Sequence, residues 1–133
     1  MATTAYELLP VPSYTGPTHT YTDPEILFST ATFTQVGVTL AGGQGVIAAG
    51  TVLAQKTADK KYYVYSNAGS GGIDTARGVL RKAADTGLAG SPDQQGNMVI
   101  SAILKLSLIV GADAAALTDL GGTVNSVLGT LKI

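Results

Sequence analysis

The chain has 133 residues, 45% of them hydrophobic and only 13% charged, with a net charge of −1 at pH 7. That length favours one compact domain with room for an extension, and a charged share about half the usual one suits a surface buried against partners. No Lys/Arg run occurs, so nucleic-acid binding through phosphates is not expected, and with no Cys, disulfides and thiolate metal sites are excluded.

Four of the five prolines, Pro10, Pro12, Pro17 and Pro24, fall in the first 24 residues. That stretch is rich in Thr and Tyr and has Glu7 and Asp23 but no Lys or Arg; Glu25 follows it. Proline fixes φ and removes a backbone donor, so the segment is neither a helix nor a central strand. It reads as an extended arm with polyproline-like stretches. No basic segment precedes an apolar run there, so no secretory leader is expected. Tyr6, Leu8, Leu9, Val11 and Tyr14, and further on Tyr21, Ile26, Leu27 and Phe28, are more apolar than a flexible linker needs. For residues 1–19 docking on another surface is the favoured reading. For residues 20–33 two readings stand equally: docking elsewhere, or a strap folded back on the chain's own domain.

From residue 34 the pattern turns to β structure. Val36, Val38 and Leu40 alternate with Gln35, Gly37 and Thr39, which gives a strand with one apolar face. Gly42-Gly43-Gln44-Gly45 breaks it, and a short strand follows over 50–55. Tyr62 to Tyr65 are strong strand formers, and Asn67 to Gly72 is a loop. Residues 75–84 fit helical spacing through Ala76, Val79, Leu80, Ala83 and Ala84, although Gly78 opposes a helix by about 1 kcal/mol relative to Ala. A loop spans Thr86 to Asn97. Met98 to Val110 then fits period two, with Ile100, Ala102, Leu104, Leu106, Leu108 and Val110 on one face. Helix is the alternative there, and the stretch is too short for a bilayer span. Asp113 caps a helix that Ala114 to Leu120 propagate and Gly121-Gly122 stop, with Ala116, Leu117 and Leu120 facing the core. Val127, Leu128, Leu131 and Ile133 point to a short final strand.

Little in the sequence points to catalysis. His19 is the single histidine and stands in the arm without a nucleophile or acid at a useful spacing. The aspartates fall singly where turns and caps are expected. Neither Gly69-Ser70-Gly71-Gly72 nor Gly42-Gly43-Gln44-Gly45 ends in the Gly-Lys-Ser/Thr of a phosphate loop, and no calcium-loop ligand series occurs. Tyr62, Tyr63 and Tyr65 have Lys60 and Lys61 beside them but no wider basic patch, which makes base stacking a weak reading. Alternation sets Tyr63 and Tyr65 on one face and Tyr62 with Val64 on the other, one face for the core and one for an interface.

The ordered set Gly50-Thr51-Val52-Leu53, Lys61-Tyr62-Tyr63-Val64, Ala76-Arg77-Gly78-Val79-Leu80 and Asp85-Thr86, behind an extended arm, resembles the head decoration (capsid cement) proteins of tailed bacteriophages related to lambda. The likeness covers about residues 34–86 well and the C-terminal third in outline, with departures in the loops and a longer C-terminal stretch. It tips residues 75–84 towards strand. It implies an α+β, β-rich fold: a small mixed β core, partly barrel-like, one short helix near the C-terminus, and an extended N-terminal arm. The expected division is an arm over 1–33 and a decoration and trimerisation domain over 34–133. The resemblance further implies a homotrimer on the outer surface of the expanded virion head. Its arm residues Tyr6, Leu8, Leu9, Val11 and Tyr14 would grip the major capsid protein. No catalytic residue, cofactor, metal, nucleic acid, membrane or small-molecule substrate is expected. The alternatives are a trimeric receptor-binding or fibre-head module of a phage and, behind it, a small hydrolase or lyase.

Overall fold

The computed structural model describes residues 25–133. The arm residues Tyr6, Leu8, Leu9, Val11, Tyr14 and His19 lie outside the described residues. In chain order the elements are β1 (Thr34–Leu40), β2 (Val46–Ile47), β3 (Val52–Gln55), β4 (Tyr62–Val64), β5 (Ala76–Leu80), β6 (Ala84–Asp85), β7 (Gln94–Ser101), β8 (Ile103–Lys105), a 3-10 turn at Leu106–Leu108, α1 (Ala114–Leu120), β9 (Thr123–Asn125) and β10 (Thr130–Lys132). Five strands close into a barrel in the order β1-β4-β3-β5-β7; β8-β10-β9 form a second sheet, and β2-β6 a two-stranded ribbon. The β-rich fold with a barrel core and one short C-terminal helix is the expected one.

Two apolar clusters explain the strand sequences. Val38, Leu40, Ile47, Leu53, Leu80 and Met98 pack together around the barrel interior. The larger cluster, including Val52, Ala54, Ala76, Val79, Val99, Leu104, Ala116 and Leu131, lies against the helix and the second sheet. Strands β3, β5 and β7 contribute to both, so neighbouring residues such as Val52 and Leu53, or Met98 and Val99, are all buried. Alternation therefore disappears where a strand has apolar neighbours on both faces.

Gly78 is at home in β5 because its strand lies hard against β7. A Cβ there would stand 2.6 Å from Met98 Cγ and 2.7 Å from the Val99 carbonyl oxygen. Within the spacing that imitated a helix over 75–84, Ala76–Leu80 is a two-faced strand, with Val79 paired to Val99 and Leu80 to Met98, and Ala84 opens the separate strand β6.

Barrel closure between β1 and β4 is thin. These strands run parallel with one register pair, Leu40 with Tyr62. The Gln44 side chain completes the seam: its amide donates to the Ala41 and Tyr62 carbonyls at 2.9 and 3.2 Å, and its Oε1 accepts from the Val64 N–H at 3.0 Å. Gly42 to Gly45 do break the strand, and the residue between the glycines has this second task.

Several elements differ from the sequence expectation for physical reasons. Met98 to Val110 is not one strand with one apolar face. β7 ends at Ser101, β8 is short and the 3-10 turn follows, leaving Ile100 and Val110 exposed while Ala102 and Leu104 are buried. β7 begins at Gln94, inside the expected loop, because it pairs with β1 along that strand's whole length, Leu40 with Gln94 through Thr34 with Ser101. Tyr65 lies beyond β4 and is buried, its hydroxyl donating to Asp113 at 3.0 Å. Val127 and Leu128 occupy the turn between β9 and β10 and are exposed, whereas Leu131 of β10 is buried.

The helix agrees with its signals. Asp113 accepts from the Ala116 N–H at 2.8 Å, and Gly121 adopts φ 66° while the Gly122 N–H donates to the Leu117 carbonyl. Ala116 is fully buried, and Leu117 and Leu120 pack against the larger cluster.

Candidate interaction surfaces

Residues 25–28 form a strap against the second sheet. The Lys105 N–H donates to the Ile26 carbonyl at 2.7 Å, and the Phe28 N–H to the Ile103 carbonyl at 2.8 Å. Leu27 thereby lies antiparallel to Leu104, and the strap extends the sheet beyond β8. Ile26 and Leu27 are 0% and 2% exposed and belong to the larger core cluster. Of the two readings for residues 20–33, the strap describes 25–28.

Charge holds the same segment. Arg81, just past β5, reaches Glu25 Oε2 at 3.0 Å, and its guanidinium lies 4.7 Å from the Phe33 ring centre. The hydrogen bond from Arg81 holds the Glu25 carboxyl below its ordinary value of 4.5, against a smaller opposing effect of burial. Both partners keep part of their solvent exposure, so the pair contributes no more than about 1 kcal/mol. The cation–π contact adds about 0.5–1 kcal/mol. Apolar burial is the main anchor.

Phe28, next to Leu27, is half exposed. It lines two shallow concavities of about 450 and 240 Å³, which also share Leu128. Their floor follows from strand register. Ile103 pairs with Lys132 and Lys132 with Thr123, while Lys105 pairs with Thr130 and Thr130 with Asn125. These two rows lie on the face of the second sheet opposite Leu104 and Leu131, which are buried in the core. Leu106, Ser107 and Gly129 complete the lining. Among the described residues the result is one open apolar groove whose charged lining residues, Lys105 and Lys132, are both cations.

The β9–β10 turn is fixed at the groove's edge. Asn125 Oδ1 accepts from both the Val127 and Leu128 N–H groups at 3.1 Å. Val127 is 92% exposed and Leu128 59%. A side-chain cap of this kind pre-sets a turn and lowers the entropy lost when its tip is bound.

The opposite end of the barrel has another character. Strap and groove adjoin the Thr34/Ser101 end of the β1–β7 pair; the 41–45 and 86–93 loops stand at the Leu40/Gln94 end. There Lys61 Nζ lies 2.9 Å from Asp93, and the Tyr63 hydroxyl donates to Asp59 at 2.7 Å. The Lys61 hydrogen bond, then the Gly42 N–H, holds Asp93 below its usual range, and the same Lys61–Asp93 pair raises Lys61. Asp59 is lowered first by the Lys61 N–H and then by Tyr63, whose own hydroxyl is raised by Asp59. The exposed Val46 and Leu88 also belong to this end.

Among the described residues no group of three or more His, Cys, Asp or Glu could hold a metal ion, and no helix is long and apolar enough to cross a membrane. The strap segment was visible in the sequence as apolar residues, but its partner Arg81 was not singled out. The groove was missed because it is assembled from four separate stretches. The consecutive apolar pair Val127-Leu128 in a polar, Gly-flanked context was the one local signal for it.

The described residues thus form a closed barrel with a strap at 25–28 beside an open apolar groove. The family model for bacteriophage lambda head decoration protein D matches residues 17–122, and the chain belongs to that family of structural phage head proteins. Residues 123–133, which include the β9–β10 hairpin, lie past the matched region. Neither the curated proteins nor the solved structures gave a match.

Proposed function

We propose that this chain is a cement protein, which binds the outer surface of the expanded phage head as a homotrimer and holds it against internal DNA pressure. The observation that carries the reading is the family match over residues 17–122. The strap at 25–28 supports it, since it gives a load-bearing root to whatever precedes it.

The mechanism follows from geometry and mass action. Packaged DNA pushes neighbouring capsomers apart. A trimer that bridges three capsid subunits resists this, because separation must break three attachments. Each arm can add an extended strand to an exposed edge of the major capsid protein, with backbone hydrogen bonds for affinity and Leu8, Leu9 and Val11 in pockets, flanked by Tyr6 and Tyr14. Pro10 and Pro12 restrict that pairing to an edge and reduce the entropy lost on ordering. Three arms acting together raise apparent affinity by about 10²–10⁴ when all can engage at once. The role is mechanical, with no catalysis, cofactor, nucleic acid or membrane in it.

Cosedimentation with undecorated procapsids and expanded heads of the same phage tests this, together with native mass. The expected result is a trimer that binds expanded heads only, and a chain lacking residues 1–16 that stays folded and trimeric but no longer binds. A monomer indifferent to heads overturns the reading, and full binding by the truncated chain removes the arm from it.

A further inference from the structure

We propose that Gln44 is a latch on the barrel. Its side chain, set in place by the buried Thr86, governs an opening of the β1–β4 seam that is separate from global unfolding.

The seam is where the barrel is most weakly joined. β1 meets β4 through one register pair, whereas β1 and β7 share seven, β3 and β4 three, β3 and β5 three, and β5 and β7 two. Beside that one pair the Ala41 N–H donates to the Tyr62 carbonyl at 3.1 Å. Parting here turns the barrel into an open sheet in the order β4-β3-β5-β7-β1 and leaves its other pairings in place. Such a sheet has two free edges, which invite pairing with other chains. Leu40 and Tyr62 also meet in the interior cluster, which limits the opening to a local parting of the two edges.

Gln44 spans the place where backbone pairing stops. Its amide nitrogen serves carbonyls on both sides of the seam, Ala41 and Tyr62, and its Oε1 takes the Val64 N–H. These partners dictate the amide's orientation. Turned over, it would set its oxygen against two carbonyls and its nitrogen against an N–H. One side chain thus replaces a missing ladder step.

The loop that carries Gln44 is anchored away from both strands of the seam. Thr86, 42 positions further along the chain, is 1% exposed. Its hydroxyl accepts from the Gln44 N–H and donates to the Gly45 carbonyl, both at 2.8 Å. Its backbone joins the same loop: the Gly43 N–H donates to the Thr86 carbonyl, and the Thr86 N–H to the Gly45 carbonyl, again at 2.8 Å. Thr86 is therefore the positioning residue, and Gln44 the group that closes the seam.

Amide exchange followed by NMR in the full chain tests this. The reporter is the Ala41 N–H, because its own acceptor, the Tyr62 carbonyl, is untouched by the substitutions. The Val64 N–H is no reporter, since it loses its acceptor together with Gln44. In Gln44→Ala and in Thr86→Val, exchange at Ala41 is expected to accelerate at least about tenfold more than along the β1–β7 pair. Thr86→Ser, which keeps the hydroxyl, should show no such excess. Gln44→Glu adds a titration. Its carboxylate keeps an acceptor for Val64 but opposes two carbonyls, so the excess at Ala41 should appear as the introduced carboxyl ionises. The parent, in which Lys61, Asp59 and Asp93 titrate at the same end of the barrel, supplies the baseline. Equal acceleration at Ala41 and along β1–β7 overturns the proposal, because the seam then opens only with the whole fold. An Ala41 amide indifferent to Gln44→Ala overturns it too, as does failure of Gln44→Ala to fold, which would make Gln44 a requirement of the fold and not a latch. An excess in Gln44→Ala that Thr86→Val does not share overturns the role given to Thr86.

Discussion

Replacing Leu27 with Ala tests whether the strap is part of the folded unit. Leu27 is 2% exposed, lies opposite Leu104 and sits in the larger core cluster. Truncating a buried leucine costs about 2–5 kcal/mol, and a site at the periphery of the core, where neighbours can partly collapse, argues for about 3. For a unit of this size each kcal/mol lowers the melting temperature by about 4 °C, so the expected drop is about 12 °C. Thermal unfolding followed by circular dichroism measures it, at fixed protein concentration because self-association would shift the midpoint. Amide exchange at Phe28 and Lys105, whose N–H groups pair across the strap, should rise more than elsewhere. Phe28→Ala is the companion variant: half exposed, it should cost under about 1 kcal/mol. A drop of less than about 4 °C in Leu27→Ala, or equal drops in the two variants, would refute the packing argument.

Four further outcomes are expected. Gly50→Ala should lose at least about 2 kcal/mol, or fail to fold, since Gly50 has φ +89° and a Cβ would stand 2.0 Å from the Leu108 carbonyl oxygen; urea denaturation measures this. Asp113→Ala should cost about 1–2 kcal/mol, because the helix cap to Ala116 and the acceptor for Tyr65 go together, while Asp113→Asn, which keeps an acceptor oxygen, should cost much less. Stability should fall in acid: Glu25 has a lowered folded value, so its contribution is complete above 4.5 and disappears as pH falls through that lowered value, and Arg81→Met should flatten this part of the stability profile. In alkali the sign reverses for Tyr65, whose hydroxyl is pushed up to about 12 by burial and by its hydrogen bond to Asp113. Its contribution is complete below 10 and is lost as pH rises through about 12; ultraviolet titration of tyrosine ionisation should lose its highest step in Tyr65→Phe.

Local chemistry was the most legible part of the sequence. Asp113, the alanines after it and Gly121 specify a helix without tertiary help, and that helix is present. The β1 alternation over Val36, Val38 and Leu40 located a strand, although Val36 is exposed because the apolar face of β1 is covered only towards its Leu40 end. Strands buried on two sides were harder: Met98 and Val99 enter different clusters from adjacent positions, and no single period describes them. Gly78 looked like a helix-weakening residue when its task is close approach to β7. Gln44 was hidden inside a glycine turn, since only the fold brings the β1 and β4 backbones within reach of its amide. The groove depended on register between strands distant in sequence, which no local pattern encodes.

The strap's hydrogen bonds run across to β8, on either side of Leu27. A pull applied at Glu25 along the strap therefore loads both bonds at once, and drags Ile26 and Leu27 out of the core in the same motion. Tension on the arm meets a shear joint rather than a zipper, so the attachment should yield collectively at a high force instead of opening one bond at a time.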